Sequence, residues 1–249
     1  MRRQICFLAA LILETVCVAS GQMESPSVQS YTGKKLILRY FGGQKDVALR
    51  KDDFEKHRNG CAVAVEVRRA AFKHHRLVFQ FEKIGSLVVR NQAIRCTEDS
   101  RETSLTISHF TGTESSEEVK GLVAQFLQTP EAYLAAHGIV LQPSDPAGDA
   151  VAIDFPHPGV TRPELLLMVL PFYPPMLHFL HIQGVVRATG EVGTDGIIHD
   201  YRVASPPDPR LTEAVLRVFP LIRYQPARQG DKPVRVRMSF ETSFSLDLN

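Results

Sequence analysis

The sequence predicts an α+β protein: a small antiparallel sheet with one helix, ordered β-β-α-β, at the C-terminus, preceded by a β-rich region with helices of its own. Three observations predict it. Apolar and polar residues alternate in short runs between about residues 30 and 110 and again beyond residue 184, the period-2 pattern of half-buried strands. Apolar residues at helical spacing occur only in isolated stretches, and a proline-rich interval divides the chain. Hydrophobic residues at 44% beside 22% charged residues describe a chain that folds and exclude wholesale disorder. The net charge of +2 supplies no basic stripe, so no nucleic-acid partner is expected.

The first element is the N-terminal leader. Arg2 and Arg3 precede an apolar run from Ile5 to Ala19, and the small residues Ala19-Ser20-Gly21 close it. These are the parts of a secretory signal peptide, so residues 1–21 read as one, cleaved after Ser20 or Gly21. The competing reading is a signal anchor. The run falls short of the roughly 20 apolar residues that cross a bilayer, and Glu14 interrupts it. Export with cleavage would make the protein periplasmic. It would also remove Cys6 and Cys17, leaving Cys61 and Cys96 either as one disulfide or as two buried thiols.

Residues 30–140 read as a β-rich N-terminal domain with helices at its end. Val63, Val65 and Val67 share one strand face, and Leu77, Phe79 and Phe81 another. Ile84-Gly85-Ser86 predicts a break before Leu87-Val88-Val89, and Leu105-Thr106-Ile107 adds a short strand. Gly42-Gly43 and Asn59-Gly60 are turn signals between these pieces. Ser115 and Glu118 have capping-box spacing, followed by Val119, Leu122, Val123, Phe126 and Leu127 on one helical face. Thr129-Pro130 opens a second helix that Gly138 should stop. The two helices are expected to cover one face of the β unit. Residues 141–165, with Pro143, Pro146, Pro156, Pro158 and Pro163, read as a linker reaching at most about 70 Å if fully extended.

The C-terminal domain is expected at residues 168–249. Gly184, Val186, Ala188, Gly190 and Val192 share one face of its first long strand, Asp195-Gly196 makes a hairpin turn, and Ile197 to Ala204 is the return strand. Asp208 caps a helix that Pro209 opens, with Leu211, Ala214, Val215 and Val218 as its stripe and Pro220 as its stop. Val234, Val236, Met238, Phe240 and Phe244 then alternate with Arg235, Arg237, Ser239, Glu241 and Ser243.

Several pieces of this region stand in the order and spacing of one family. They are Pro171-Phe172-Tyr173-Pro174, Ile182-Gln183-Gly184-Val185, Asp195-Gly196, Tyr224-Gln225-Pro226-Ala227 and Pro233-Val234-Arg235-Val236. In them the last third of the chain resembles a TonB C-terminal domain. The resemblance implies a non-enzymatic periplasmic protein that docks outer-membrane TonB-dependent receptors by edge-strand pairing, in energy-coupled transmembrane transport. Its implied partner-binding residues are Pro171, Tyr173 and Pro174 beside the docked peptide, and Val234, Arg235, Val236, Arg237, Met238, Ser239 and Phe240 on the pairing strand. The ExbB–ExbD motor proteins and a homodimer through the same strand are further implied partners. The alternative is a periplasmic structural protein that reuses the module for self-association. Two positions depart from the family: Leu170 stands where its transducers carry glutamine, and Leu221-Ile222 where a tryptophan is usual.

Catalytic chemistry finds little footing. His178 and His181 have ligand spacing on a helix, but a zinc site takes three or four ligands, and no Cys, Asp or Glu is spaced to complete one. His74-His75 fits a solvated strand end. No nucleophile elbow, phosphate loop or dinucleotide fingerprint is present, so neither cofactor nor metal is expected.

Overall fold

The computed structural model describes residues 26–39, 46–50, 62–90, 92–94, 102–111, 113–204 and 208–246. The leader, Cys61, Cys96 and the turn signals at Gly42-Gly43 and Asn59-Gly60 lie outside them. A short helix α1 (Pro26–Gln29) leads into β1 (Lys35–Arg39), β2 (Asp46–Arg50), β3 (Ala62–Lys73), β4 (Arg76–Val89), β5 (Gln92–Ile94) and β6 (Glu102–Ser108). Helix α2 (Ser116–Phe126), β7 (Leu127–Gln128) and α3 (Pro130–Ala136) follow, then β8 (Ile153–Asp154), β9 (Glu164–Pro171) and α4 (Pro175–Phe179). The chain closes with β10 (Gly184–Val192), β11 (Ile198–Ala204), α5 (Pro209–Val218), β12 (Arg223–Gln225), β13 (Ala227–Gln229), β14 (Lys232–Val234) and β15 (Val236–Phe244). The α+β expectation holds, with the β-β-α-β order carried by β10, β11, α5 and β15.

Local signals act as the sequence indicates at most helix ends. Ser115 and Glu118 make both bonds of a capping box at α2, Thr129 caps α3 and Asp208 caps α5, each side-chain oxygen accepting from an otherwise orphaned N–H. Gly138 sits at φ +72°, the left-handed conformation that ends α3.

One long strand organises the larger sheet. β4 pairs along one edge with β3, and along the other first with β6 and then with β9, in a nine-stranded sheet of main order β12-β9-β4-β3-β1-β7. Gly85 does not end β4 as expected; the strand continues through it, with a bulge at Ile84 where its register against β3 shifts. The missing Cβ of Gly85 serves close approach instead, because a methyl group there would lie 2.5 Å from the Leu170 carbonyl oxygen of β9.

Alternation divides this sheet into two faces. Leu36, Leu38, Val63, Val65, Val67, Phe79 and Phe81 face α2, whose Val119, Val123 and Phe126 are buried against them. Ile37, Ala62, Ala64 and Leu87 face the other way, into a core shared with Leu211, Val215 and Val218 of α5 and with Tyr133 and Leu134 of α3. The two helices therefore do not cover one face. Only α2 lies over the β unit's own core, because the apolar stripe of α3 belongs to the second core.

The expected boundary at residues 141–165 takes a different form. β9 brings Leu166, Leu167 and Val169 into the shared core, and burying side chains of this size stabilises by about 1.5–3 kcal/mol each. That gain holds β9 in the sheet of the N-terminal region while β12 pairs on its far side. The proline-rich stretch before it is not a free spacer. Asp149 accepts from the Thr194 N–H at 2.9 Å and from its hydroxyl at 2.7 Å, and the Asp145 N–H donates to the same hydroxyl at 2.9 Å. Prolines limit this stretch to extended and turn conformations, but they do not keep it off the surface.

Charge ties the halves together as well. Arg217 of α5 reaches Glu66 of β3 at 2.6 Å and Glu82 of β4 at 2.8 Å, and Arg68 bonds both carboxylates from outside. The hydrogen bond from Arg217, outweighing the opposing effect of burial, holds the Glu82 carboxyl below its usual range. A depressed carboxylate pKa stabilises the fold above the unfolded value and loses that contribution as pH falls through the folded value. Replacing Arg217 with methionine should cost about 1–3 kcal/mol at pH 7 by leaving a half-buried carboxylate pair underpartnered. Urea titrations at several pH values check this: wild type should lose stability more steeply than the variant between about pH 5 and pH 3.

Candidate protein-docking edge

The smaller sheet has the order β11-β10-β15-β8. β10 and β15 pair antiparallel over their full lengths, from Gly184 opposite Phe244 to Val192 opposite Val236. Both strands follow the alternation of the sequence. Val186, Ala188, Val192, Val236 and Phe244 are buried, while Arg187, Arg237, Ser239, Glu241 and Ser243 point to solvent.

In an antiparallel ladder the N–H and C=O of one residue point to the same neighbour, and successive residues point to opposite neighbours. The outer edge of β15 is identified by two bonds: the Ile153 N–H donates to the Arg235 carbonyl and the Phe155 N–H to the Arg237 carbonyl, both at 2.9 Å. The row facing outward is therefore Arg235, Arg237, Ser239, Glu241 and Ser243. β8, running parallel, covers the first two members. Among the described residues no strand pairs beyond Arg237, so Ser239, Glu241 and Ser243 form an open edge.

The sequence-derived residues distribute unevenly along this edge. Ser239 lies in its open row, while Met238 and Phe240 flank it with their backbone groups turned to β10. Val236 and Arg237 lie under β8. Val234 belongs to the β13–β14 hairpin, opposite Ala227, and Arg235 bridges β14 and β15. The expected single edge strand from residue 234 to residue 244 is thus two strands, and its first third is occupied. Pro171 ends β9, and Pro174 stands at the start of α4. Tyr173 is half-buried. Its hydroxyl donates to the Ile182 carbonyl at 2.5 Å, and its ring lies 5.3 Å from that of Phe244 and 5.4 Å from that of His178. Tyr173 fastens the loop before β10 to the end of β15. Leu170, Met176, Phe179 and Leu180 are exposed around α4.

Ion pairs line the outer face. Arg187 meets Glu241 at 2.7 Å, while Arg237 joins Glu191 at 2.6 Å and Asp154 at 2.8 Å. Arg235 lies 2.8 Å from Glu191 and 2.6 Å from Asp200. Hydrogen bonds to Glu191 first, then Asp154, make Arg237 a firmer cation than free arginine. The face offers balanced charge and backbone pairing groups. No group of three or more His, Cys, Asp and Glu is gathered as a metal site among the described residues. Nor is any helix among them long and apolar enough to cross a membrane.

Sequence reasoning missed Ile153, Asp154 and Phe155; it placed Glu241 and Ser243 on the outward side of the strand but not among the partner-binding residues. A signal for the first three existed: Val151, Ile153 and Phe155 alternate with Ala152 and Asp154, but the surrounding prolines argued for a linker.

Comparison with known proteins bears on this C-terminal region. Residues 169–246 match the family model described as the Gram-negative bacterial TonB protein C-terminal. The last third of the chain is a TonB C-terminal domain. It is also similar to the solution NMR structure of the Pseudomonas aeruginosa TonB CTD, at 23% identity over 39% of this chain and 95% of that one, with a TM-score of 0.30. No curated protein matches.

The Tyr173 contacts give a first prediction for this region. Tyr173→Phe keeps the ring packing and removes the hydrogen bond to Ile182, so it should cost about 0.5–1.5 kcal/mol in urea unfolding. An unchanged midpoint would show that the hydroxyl does not fasten the loop.

Proposed function

We propose that this protein binds an extended peptide segment of an outer-membrane transport protein, which adds as a further strand beside β15. The observation that carries the reading is the open row of Ser239, Glu241 and Ser243 inside the segment that matches the TonB family. A strand placed there finds backbone donors and acceptors already aligned, so main-chain pairing supplies affinity without chemistry. The half-buried Met238 and Phe240 flank that row on the inner face, giving alternate side chains of the peptide apolar surface to cover. Binding, rather than catalysis, is the role this arrangement serves. On this reading the protein works in the periplasm, exported by its leader, in energy-coupled transport across the outer membrane.

The test is binding of synthetic peptides copied from the periplasmic N-terminal segments of the host's TonB-dependent receptors. Ser239→Pro removes an outward N–H and leaves the β10 ladder intact, since proline is tolerated where an edge N–H faces solvent. It should weaken binding about tenfold or more by fluorescence anisotropy, which corresponds to roughly 1.4 kcal/mol. Equal affinity of the variant and wild type would rule out pairing at this edge.

A further inference from the structure

The docking row is longer than its open part, and the chain's own strand lies on the rest. β8 contributes two residues to the ladder, against nine on the β10 side. It is a thin attachment. The few backbone bonds of a two-residue parallel ladder, among them those from the Ile153 and Phe155 N–H groups, and one ion pair, Asp154 with Arg237, join it to β15. Asp154 is 82% exposed in that pair, so solvent screens it. Ile153 and Phe155 are only partly buried against the shared core.

The two ends of the segment are fastened far more firmly than its middle. Upstream, Thr194, fully buried, holds Asp145 and Asp149 through its backbone and hydroxyl. Gly148 sits so close to the Pro233 carbonyl oxygen that a Cβ would lie 2.2 Å away, and its own carbonyl accepts from the Arg235 N–H at 3.0 Å. Downstream, the Thr161 N–H donates to the Arg228 carbonyl at 2.8 Å, and the Thr161 hydroxyl accepts from the Arg228 N–H at 2.9 Å. Between these clamps the strand can lift from β15 without the segment leaving the protein. It cannot extend further along the row either. The chain turns away at Pro156, and the Val160 N–H bonds back to the His157 carbonyl at 3.2 Å.

We propose that Ile153–Phe155 is an autoinhibitory strap on the docking edge. In place, it limits an added strand to the positions facing Ser239, Glu241 and Ser243; lifted, it opens the full row from Arg235 to Ser243. A partner segment that pairs along the whole row must displace the strap. Access to the edge is then set by the weak Asp154–Arg237 pair and the short β8 ladder, while the clamps at Thr194 and Thr161 keep the displaced strap within reach for reclosure. The capping of this edge rests on the docking reading; the lifting of the strap does not.

Amide hydrogen exchange on the full chain, followed by NMR, tests both parts. The Ile153 and Phe155 amides should exchange at least about 100-fold faster than those of Val186 and Ala188 in the β10–β15 ladder, because local opening needs far less free energy than global unfolding. Asp154→Ala should speed the strap amides a further two- to fivefold, the scale of an exposed ion pair, and leave the ladder amides unchanged. Strap amides that exchange at ladder rates, or that ignore Asp154→Ala, would overturn the proposal. The second arm adds the receptor N-terminal peptides described above. A peptide that binds and speeds exchange at Ile153 and Phe155 supports displacement, and one that binds without changing it overturns displacement. If no peptide binds, the docking reading fails, while the first arm still decides whether the strap lifts.

Discussion

Strand β9 pairs with β4 on one side and β12 on the other, and the rest of the molecule depends on that double pairing. It is possible because Gly85 lets the backbone at Leu170 approach where any side chain would collide. Once β9 is seated, Leu166, Leu167 and Val169 join a core that draws residues from β1, β3, β4 and α3 on one side and from α5, β10 and β15 on the other. The N-terminal strands and the TonB-type domain then bury one continuous apolar interior. The Arg217 contacts to Glu66 and Glu82 and the Arg223 contact to Glu131 add charge-assisted bonds across the same junction.

This joining has a consequence for the docking edge. The smaller sheet needs one face covered and receives α5 on it, with the larger sheet behind the helix. Its outer face stays in solvent and is dressed with paired charges instead of apolar residues. Such a surface discourages unspecific association and leaves backbone pairing at the edge as the specific feature. The strap shortens that edge further, a device that serves the same end.

The elements were legible wherever local physics decides them. Ser115 with Glu118, Thr129 with Pro130 and Asp208 with Pro209 mark helix starts through bonds made within a few residues. The alternation of β10 and β15 shows in sequence because each has one wet face. Long-range decisions were not legible. Gly85 reads as a break until the position of Leu170 is known. α3 looks like a partner of α2 until the second core appears. Prolines at 143–163 predict a linker, and nothing near them reveals that Thr194 would capture Asp145 and Asp149. The candidate site shows the same division. The pairing strand and its outward row follow from period-2 alternation, but which part of the row is open depends on where a distant segment settles.

On the proposed reading, β15 accepts a partner strand along its open edge. Chemical-shift mapping of the isotopically labelled full chain, titrated with receptor N-terminal peptides, tests it most directly. With a partner strand in place, the amide protons of Ser239, Glu241 and Ser243 should move downfield as new hydrogen bonds form, with smaller shifts at Arg237 and little change along β11. Shifts confined to β11, or to the exposed residues of α4, with the β15 row unmoved, would contradict it.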